Sequence, residues 1–222
     1  MIPDVKPQAR TRLARAAVVE AAATLFLERG YAATTIDAIS GASGVPGPTV
    51  YRLFSSKLGV LKALLDRAIT GDDRTIPLPD REHVRALRAD PDPRRQLAGF
   101  AAIARDVNGR GGNAYRILAS AAGSDQHAAE LLADYTRQRQ DGQGQFACSL
   151  ARLGALRAGM SERDAADIFH AIASPDVYQL LVADRGWSPD RYQEWLTATL
   201  VDQLLPRADR ETAVRGTRND KH

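Results

Sequence analysis

Apolar residues recur at helical spacing from one end of this chain to the other, and no stretch shows the sustained alternation of β-branched and polar residues that a half-buried strand requires. The expected fold class is therefore all-α. With 222 residues, 44% of them hydrophobic, the chain can bury one or two cores and is too apolar for intrinsic disorder. No run approaches the ~18 uninterrupted apolar residues of a membrane span, and no apolar signal segment follows the N-terminal residues Met1 to Lys6. A single cysteine, Cys148, leaves no internal disulfide framework or multi-cysteine zinc site. It is expected to be a small buried residue, and a reducing cytoplasm is the simplest location.

The first 70 residues carry the densest signals. Val18, Ala22, Leu25 and Phe26 share one face of a helix expected over 11–29, which Gly30 ends. Thr34 to Asp37 has the hydroxyl-x-x-acid spacing of a capping box, and a two-turn helix should run from there to Gly44. Val45-Pro46-Gly47-Pro48 excludes helix interior but suits a first turn, so a third short helix is expected over 47–54. Ser55 and Ser56 then offer a cap for a fourth, running to Gly71.

The second and third helices, joined by a Gly-containing turn, have the dimensions of a helix-turn-helix. Val50 and Phe54 are expected to face inward, which leaves Thr49, Tyr51 and Arg52 outside with Gly47 and Pro48. A phenol and a guanidinium reach phosphates or base edges, and the small Gly47 and Thr49 permit close approach, so this surface suits DNA. Lys57 at the next helix start can reach a phosphate as well. Charge agrees: residues 1–62 carry eight basic and four acidic side chains, while the other 160 carry 22 basic and 23 acidic. Arg10, Arg12 and Arg15 either follow the DNA backbone as an arm or are simply a charged helix start.

Over residues 11–66 the run Val18-Val19, Leu25-Phe26, Gly30-Tyr31, Thr34-Thr35-Ile36, Ile39, Gly44-Val45 and Thr49-Val50-Tyr51-x-x-Phe54-x-x-Lys57 resembles the DNA-binding domain of TetR-family transcriptional regulators. The resemblance implies that Thr35, Tyr51 and Lys57 bind phosphates and that Gly47, Pro48, Thr49 and Arg52 face the major groove. Pro46, Pro48, Ser40, Ser43 and Leu58 depart from the common pattern, where Ser, Gly, Ala, Ala and an acid are usual.

Beyond a proline-marked boundary at 71–93, helices are expected near 94–107, 112–122, 126–156, 162–173, 175–184 and 189–205, with a glycine-rich break at 109–112. The polar segment Arg137 to Gln145 reads as a solvated face, a kink or a loop. Three units result: a three-helix, helix-turn-helix DNA-binding domain over 1–70, a larger helical domain over 71–206, and a disordered tail over 207–222.

The resemblance further implies that the larger domain binds an effector and dimerises. Phe100, Ile103, Val107, Tyr115, Leu118, Tyr135, Phe146 and Phe169 are the candidates for an apolar pocket, and an apolar or aromatic small molecule is the expected effector; plain core is the alternative for each residue. The last two helices would pair with their copies in a homodimer through Leu180, Leu181, Tyr192, Trp195, Leu196, Thr199, Leu200 and Gln203.

No nucleophile elbow, two-histidine metal motif or paired-carboxylate spacing stands out, so no enzyme, metal or cofactor is expected. The leading expectation is a ligand-responsive repressor released from a near-palindromic double-stranded DNA operator. The alternative is a helical small-molecule-binding or interaction protein without specific DNA binding.

Overall fold

A computed structural model describes residues 7–71 and 76–207. Most of the expected tail lies outside these. Among the described residues every regular element is helical. In order these are α1 (Pro7–Ala33), α2 (Ile36–Ser43), α3 (Gly47–Phe54), α4 (Lys57–Thr70), a short 3-10 turn (Leu78–Asp80), α5 (Glu82–Arg88), α6 (Pro93–Ala122), α7 (Gln126–Arg152), α8 (Glu162–Ile172), α9 (Pro175–Tyr178) running into a π-helical turn (Gln179–Asp184), and α10 (Pro189–Leu204). No helix among the described residues is long and apolar enough to cross a membrane.

Local chemistry sets most helix ends. Gly30, at φ 77°, diverts the last turn of α1. The cap of α2 is Thr35, whose hydroxyl accepts from the Ala38 N–H at 3.1 Å, rather than Thr34 as the capping-box spacing predicts. Thr34 is buried instead, and its hydroxyl reaches back to the carbonyls of Gly30 (2.8 Å) and Leu25 (3.2 Å), satisfying acceptors that the end of α1 leaves open. Ser56 caps α4 through the Gly59 N–H, and Gly44 and Gly71 close α2 and α4 with positive φ.

The predicted break at 109–112 is absent, since α6 runs unbroken for 30 residues, about 45 Å at 1.5 Å per residue. Its glycines serve packing. A Cβ at Gly111 would touch the Ala68 methyl at 3.4 Å, and one at Gly112 would lie 2.5 Å from the Gln179 amide nitrogen. Small residues thus let α4 and the π-helical turn cross α6 closely. α7 likewise continues through 137–145, so that segment is neither loop nor kink, and it ends at Arg152 instead of 156.

α6 and α7 serve two cores. One half of each packs under the first four helices: Ala114, Leu118, Ala121, Ala128 and Tyr135 join Val18, Phe26, Ile39, Val50, Phe54 and Leu61 in a single apolar cluster. The other half carries Leu97, Phe100, Phe146 and Leu150, which pack with Phe169, Tyr178, Tyr192, Leu196 and Leu200 from α8 to α10. Polar ties reinforce the first junction. Arg110 Nε donates to the Ala68 carbonyl at the end of α4 (2.9 Å), and the Tyr135 hydroxyl donates to Asp66 Oδ1 at 2.5 Å.

Candidate nucleic-acid interface and the helical body

The α2–α3 corner is built from within. The Ser40 hydroxyl donates to the Val45 carbonyl at 2.7 Å, and the Val45 N–H donates to Ser43 Oγ at 3.3 Å, so the two departures from the family pattern at 40 and 43 brace the turn. Pro46 precedes α3 and supplies no side-chain cap, but its carbonyl accepts from Thr49 and Val50, and Pro48 occupies a first-turn position whose N–H needs no helical partner. Val50 and Phe54 are buried, and the Arg15 guanidinium stacks over the Phe54 ring at 4.6 Å while donating to the Leu53 carbonyl at 2.9 Å. Arg15 is therefore a clamp on α3 rather than an arm; Arg10 and Arg12 are exposed.

With its inner side fixed, α3 presents Pro48, Tyr51 and Arg52 to solvent, Tyr51 at 54% exposure, with Gly47 and Thr49 half-buried beside them. No acidic side chain among the described residues pairs with Arg52. Thr35 is exposed beside this surface. Lys57 is held by neighbouring groups of its own chain. Its ammonium lies over the Tyr31 ring at 4.2 Å and donates to the carbonyls of Tyr31 (2.6 Å) and Ala32 (3.4 Å), and partial burial lowers its pKa. It ties the start of α4 to the end of α1.

In the body, the eight candidate pocket residues separate into three places. Phe100, Phe146 and Phe169 form one edge-to-face cluster, with the Phe100 centroid 5.1 Å from Phe146 and 4.6 Å from Phe169. Ile103 and Val107 line a cleft of about 220 Å³ together with Thr70, His83 and Arg110. Tyr115, Leu118 and Tyr135 pack under the first four helices. Ile103 also packs against the core that holds Phe100, Phe146 and Phe169.

The expected dimer surface divides too. Tyr192, Leu196 and Leu200 are fully buried in the protomer's own core, which removes them from any partner. Leu180, 55% exposed, and the partly exposed Leu181, Trp195, Thr199 and Gln203 stay accessible. An open groove of about 1080 Å³ runs along α10 and the start of α6, past Ala98, Thr197, Ala198 and Val201. Cys148 is half-buried and free.

A polar group absent from the expected residues sits between α7 and α8. Arg139 and Gln143 turn inward one helical turn apart. Arg139 Nη2 contacts His170 Nε2 at 3.1 Å, and His170 Nδ1 contacts Gln143 Oε1 at 3.0 Å. An amide oxygen only accepts, so Nδ1 carries the proton and Nε2 accepts from the guanidinium: the imidazole is neutral. Burial, and then the Arg139 charge, lower the His170 pKa, against a smaller opposing effect of Asp167. The readable signal was the inward stripe Tyr135, Arg139, Gln143, Ala147, whose two polar members hid its period.

A depressed folded pKa fixes the sign of the pH effect. The stabilisation from neutral His170 is complete above its ordinary value of 6.5 and is lost as the pH falls through the lower folded value. Melting temperature should therefore drop between pH 7.5 and 5.5, and His170→Gln, which keeps hydrogen-bonding capacity but does not titrate, should show a smaller drop. Equal drops in the two proteins by scanning calorimetry would assign the acid sensitivity elsewhere.

An exposed, internally braced second helix on an all-helical body has the arrangement of a helix-turn-helix domain. Residues 18–64 match the model of the bacterial regulatory proteins of the tetR family. The chain is 40% identical over 55 residues to the HTH-type transcriptional repressor ComR of Escherichia coli (strain K12), a match that spans 25% of this chain and 26% of ComR. Among solved structures, native NalD of Pseudomonas aeruginosa, the secondary repressor of the MexAB-OprM multidrug efflux pump, superposes with a TM-score of 0.68 at 22% identity, covering 89% of this chain and all of NalD. SmeT in complex with triclosan superposes at 0.61, with 21% identity over 88% of this chain and 93% of SmeT. SmeT is the repressor of the Stenotrophomonas maltophilia efflux pump SmeDEF.

Proposed function

We propose that this protein is a homodimeric, ligand-responsive transcriptional repressor that binds a near-palindromic operator. The observation that carries the reading is the outward pair Tyr51 and Arg52 on a helix whose other side is locked by Val50, Phe54 and Arg15. A rigid two-turn helix with a free guanidinium suits base edges in the major groove, while the Tyr51 hydroxyl and Thr35 suit phosphates. Two turns contact few base pairs, so affinity comes from two copies on half-sites about 34 Å apart. Residues 1–70 act as the reading head and residues 71–206 as the sensing and pairing body, with Leu180, Leu181, Trp195, Thr199 and Gln203 facing the partner.

The shared core makes the head responsive. Because α4 packs on Leu118 and Tyr135 and bonds to Arg110 and Tyr135, a ligand that displaces α6 or α7 displaces the head. That SmeT is solved with triclosan supports a small-molecule effector in a body of this fold. Tenfold weaker operator binding requires the effector to favour the released state by ~1.4 kcal/mol.

The test is selection from a random double-stranded DNA library by the full-length protein. Enrichment of an inverted repeat, bound with a steep loss of affinity on raising the salt, is the expected outcome. Failure to enrich any sequence over random DNA would favour a helical ligand-binding protein instead.

A further inference from the structure

We propose that Arg139 is the anchor of the effector site and that the effector is an organic anion, a carboxylate on an apolar skeleton, held between α6, α7, α8 and the π-helical turn. This rests on the ligand-responsive reading and specifies its ligand class.

The fold encloses one charge without neutralising it. Arg139 is half-buried, its Nη1 is wholly enclosed, and Nη1 has no hydrogen-bond partner within the protein. Among the described residues no carboxylate lies within ion-pairing distance of it. Among the described residues its hydrogen-bond partner is His170, which the Gln143 bond holds in the neutral tautomer that accepts from Arg139. A neutral acceptor orients a guanidinium but does not cancel its charge. Tyr115 on α6 and Asp176 on α9 favour the charge from farther away, and Asp176 is itself exposed to water. Enclosing a cation this way is costly unless an anion joins it, and a guanidinium accepts a carboxylate through two parallel N–H donors.

A second unmatched atom lies three residues beyond Asp176 in the chain. Gln179 opens the π-helical turn, its side chain packs on Gly112 one turn before Tyr115, and its Oε1 is buried without a partner. π-turns within helices recur at functional sites. The open acceptor on Gln179 suits a hydroxyl or N–H on the same ligand. For the apolar part, Gln143 Nε2 donates to the Phe169 carbonyl at 3.5 Å, and Phe169, the chain neighbour of His170, packs with Phe100 and Phe146.

The experiment is calorimetric titration of the full-length protein, without DNA, using benzoate, 2-naphthoate and decanoate, each against its own amide. In the wild type at least one carboxylate should bind roughly tenfold or more tightly than its amide. The preference should vanish in Arg139→Met and survive in part in Arg139→Lys, with circular dichroism confirming the helical fold of both. Equal binding of acids and amides, absence of binding by all three acids, or an acid preference that persists in Arg139→Met would overturn the proposal. Operator affinity measured with the bound carboxylate separates the two readings. Acid binding through Arg139 that leaves operator affinity unchanged keeps the anion site and removes the repressor-release reading.

Discussion

Gly59→Ala is expected to dislodge α3 from the head and abolish DNA binding with it. A methyl at this position would stand 1.9 Å from the Phe54 carbonyl oxygen, which is backbone and has no flexible end to yield. The corner is already at its limit. Ser55 adopts φ 64° and ψ −32°, and the Ser56 N–H donates to the same Phe54 oxygen at 2.7 Å, the geometry of a positive-φ γ-turn. Neither flank can retreat, because Phe54 is buried and clamped by Arg15 on one side and Val60 and Leu61 are fully buried on the other. Overpacking of this kind costs about 3 kcal/mol or more, a large share of a domain's total stability. Urea denaturation should show a markedly lower midpoint; an unchanged midpoint would mean that the α3–α4 corner is looser than described.

Removing the outward side chains should do the reverse, leaving stability intact and destroying recognition. Tyr51→Ala and Arg52→Ala alter exposed groups on a helix held from its other face, and alanine is the better helix former. A base-edge or phosphate contact is worth about 1–2 kcal/mol, and the dimer loses it twice, so each variant should bind the selected operator about 30-fold to 1000-fold more weakly. The two should differ in kind. Loss of a phosphate contact at Tyr51 weakens all sequences alike and lowers the salt slope, whereas loss of Arg52 relaxes the preference at particular base pairs. Binding curves on the operator and on single-base variants, measured at several salt concentrations, distinguish these outcomes, and wild-type affinity in both variants would defeat the proposed interface.

What was legible in the sequence was what neighbours in the chain decide. Gly30, Gly44, Pro46 and the Ser55-Ser56 pair punctuate the first four helices through their own backbone preferences, and α1 to α4 were readable accordingly. Thr34 and Thr35 offer the same hydroxyl one residue apart, and only the carbonyls left open by α1 decide which becomes the cap. Gly109 to Gly112 look like a break because glycine weakens an isolated helix; the compensation comes from Ala68, Tyr178 and Gln179, remote in sequence. Arg139 and Gln143 looked solvated because their partner His170 lies on another helix. Apolar periodicity also does not say which core a stripe enters. Phe100 and Leu118 lie on one helix 18 residues apart, about 27 Å, and so join different cores, while the 192, 196, 200 stripe of α10 faces its own protomer.

The continuity of the first core across residue 70 bears on how such regulators exchange parts. Ala114, Leu118, Ala121 and Tyr135 are moulded to the underside of the first four helices as closely as those helices are to one another. The packing unit is therefore larger than the first four helices alone. A chimera that joins a foreign head at residue 70 brings a surface shaped for different α6 and α7 side chains, and with it a mismatched hinge. Transplanting operator preference together with inducibility means moving those body residues along with the head.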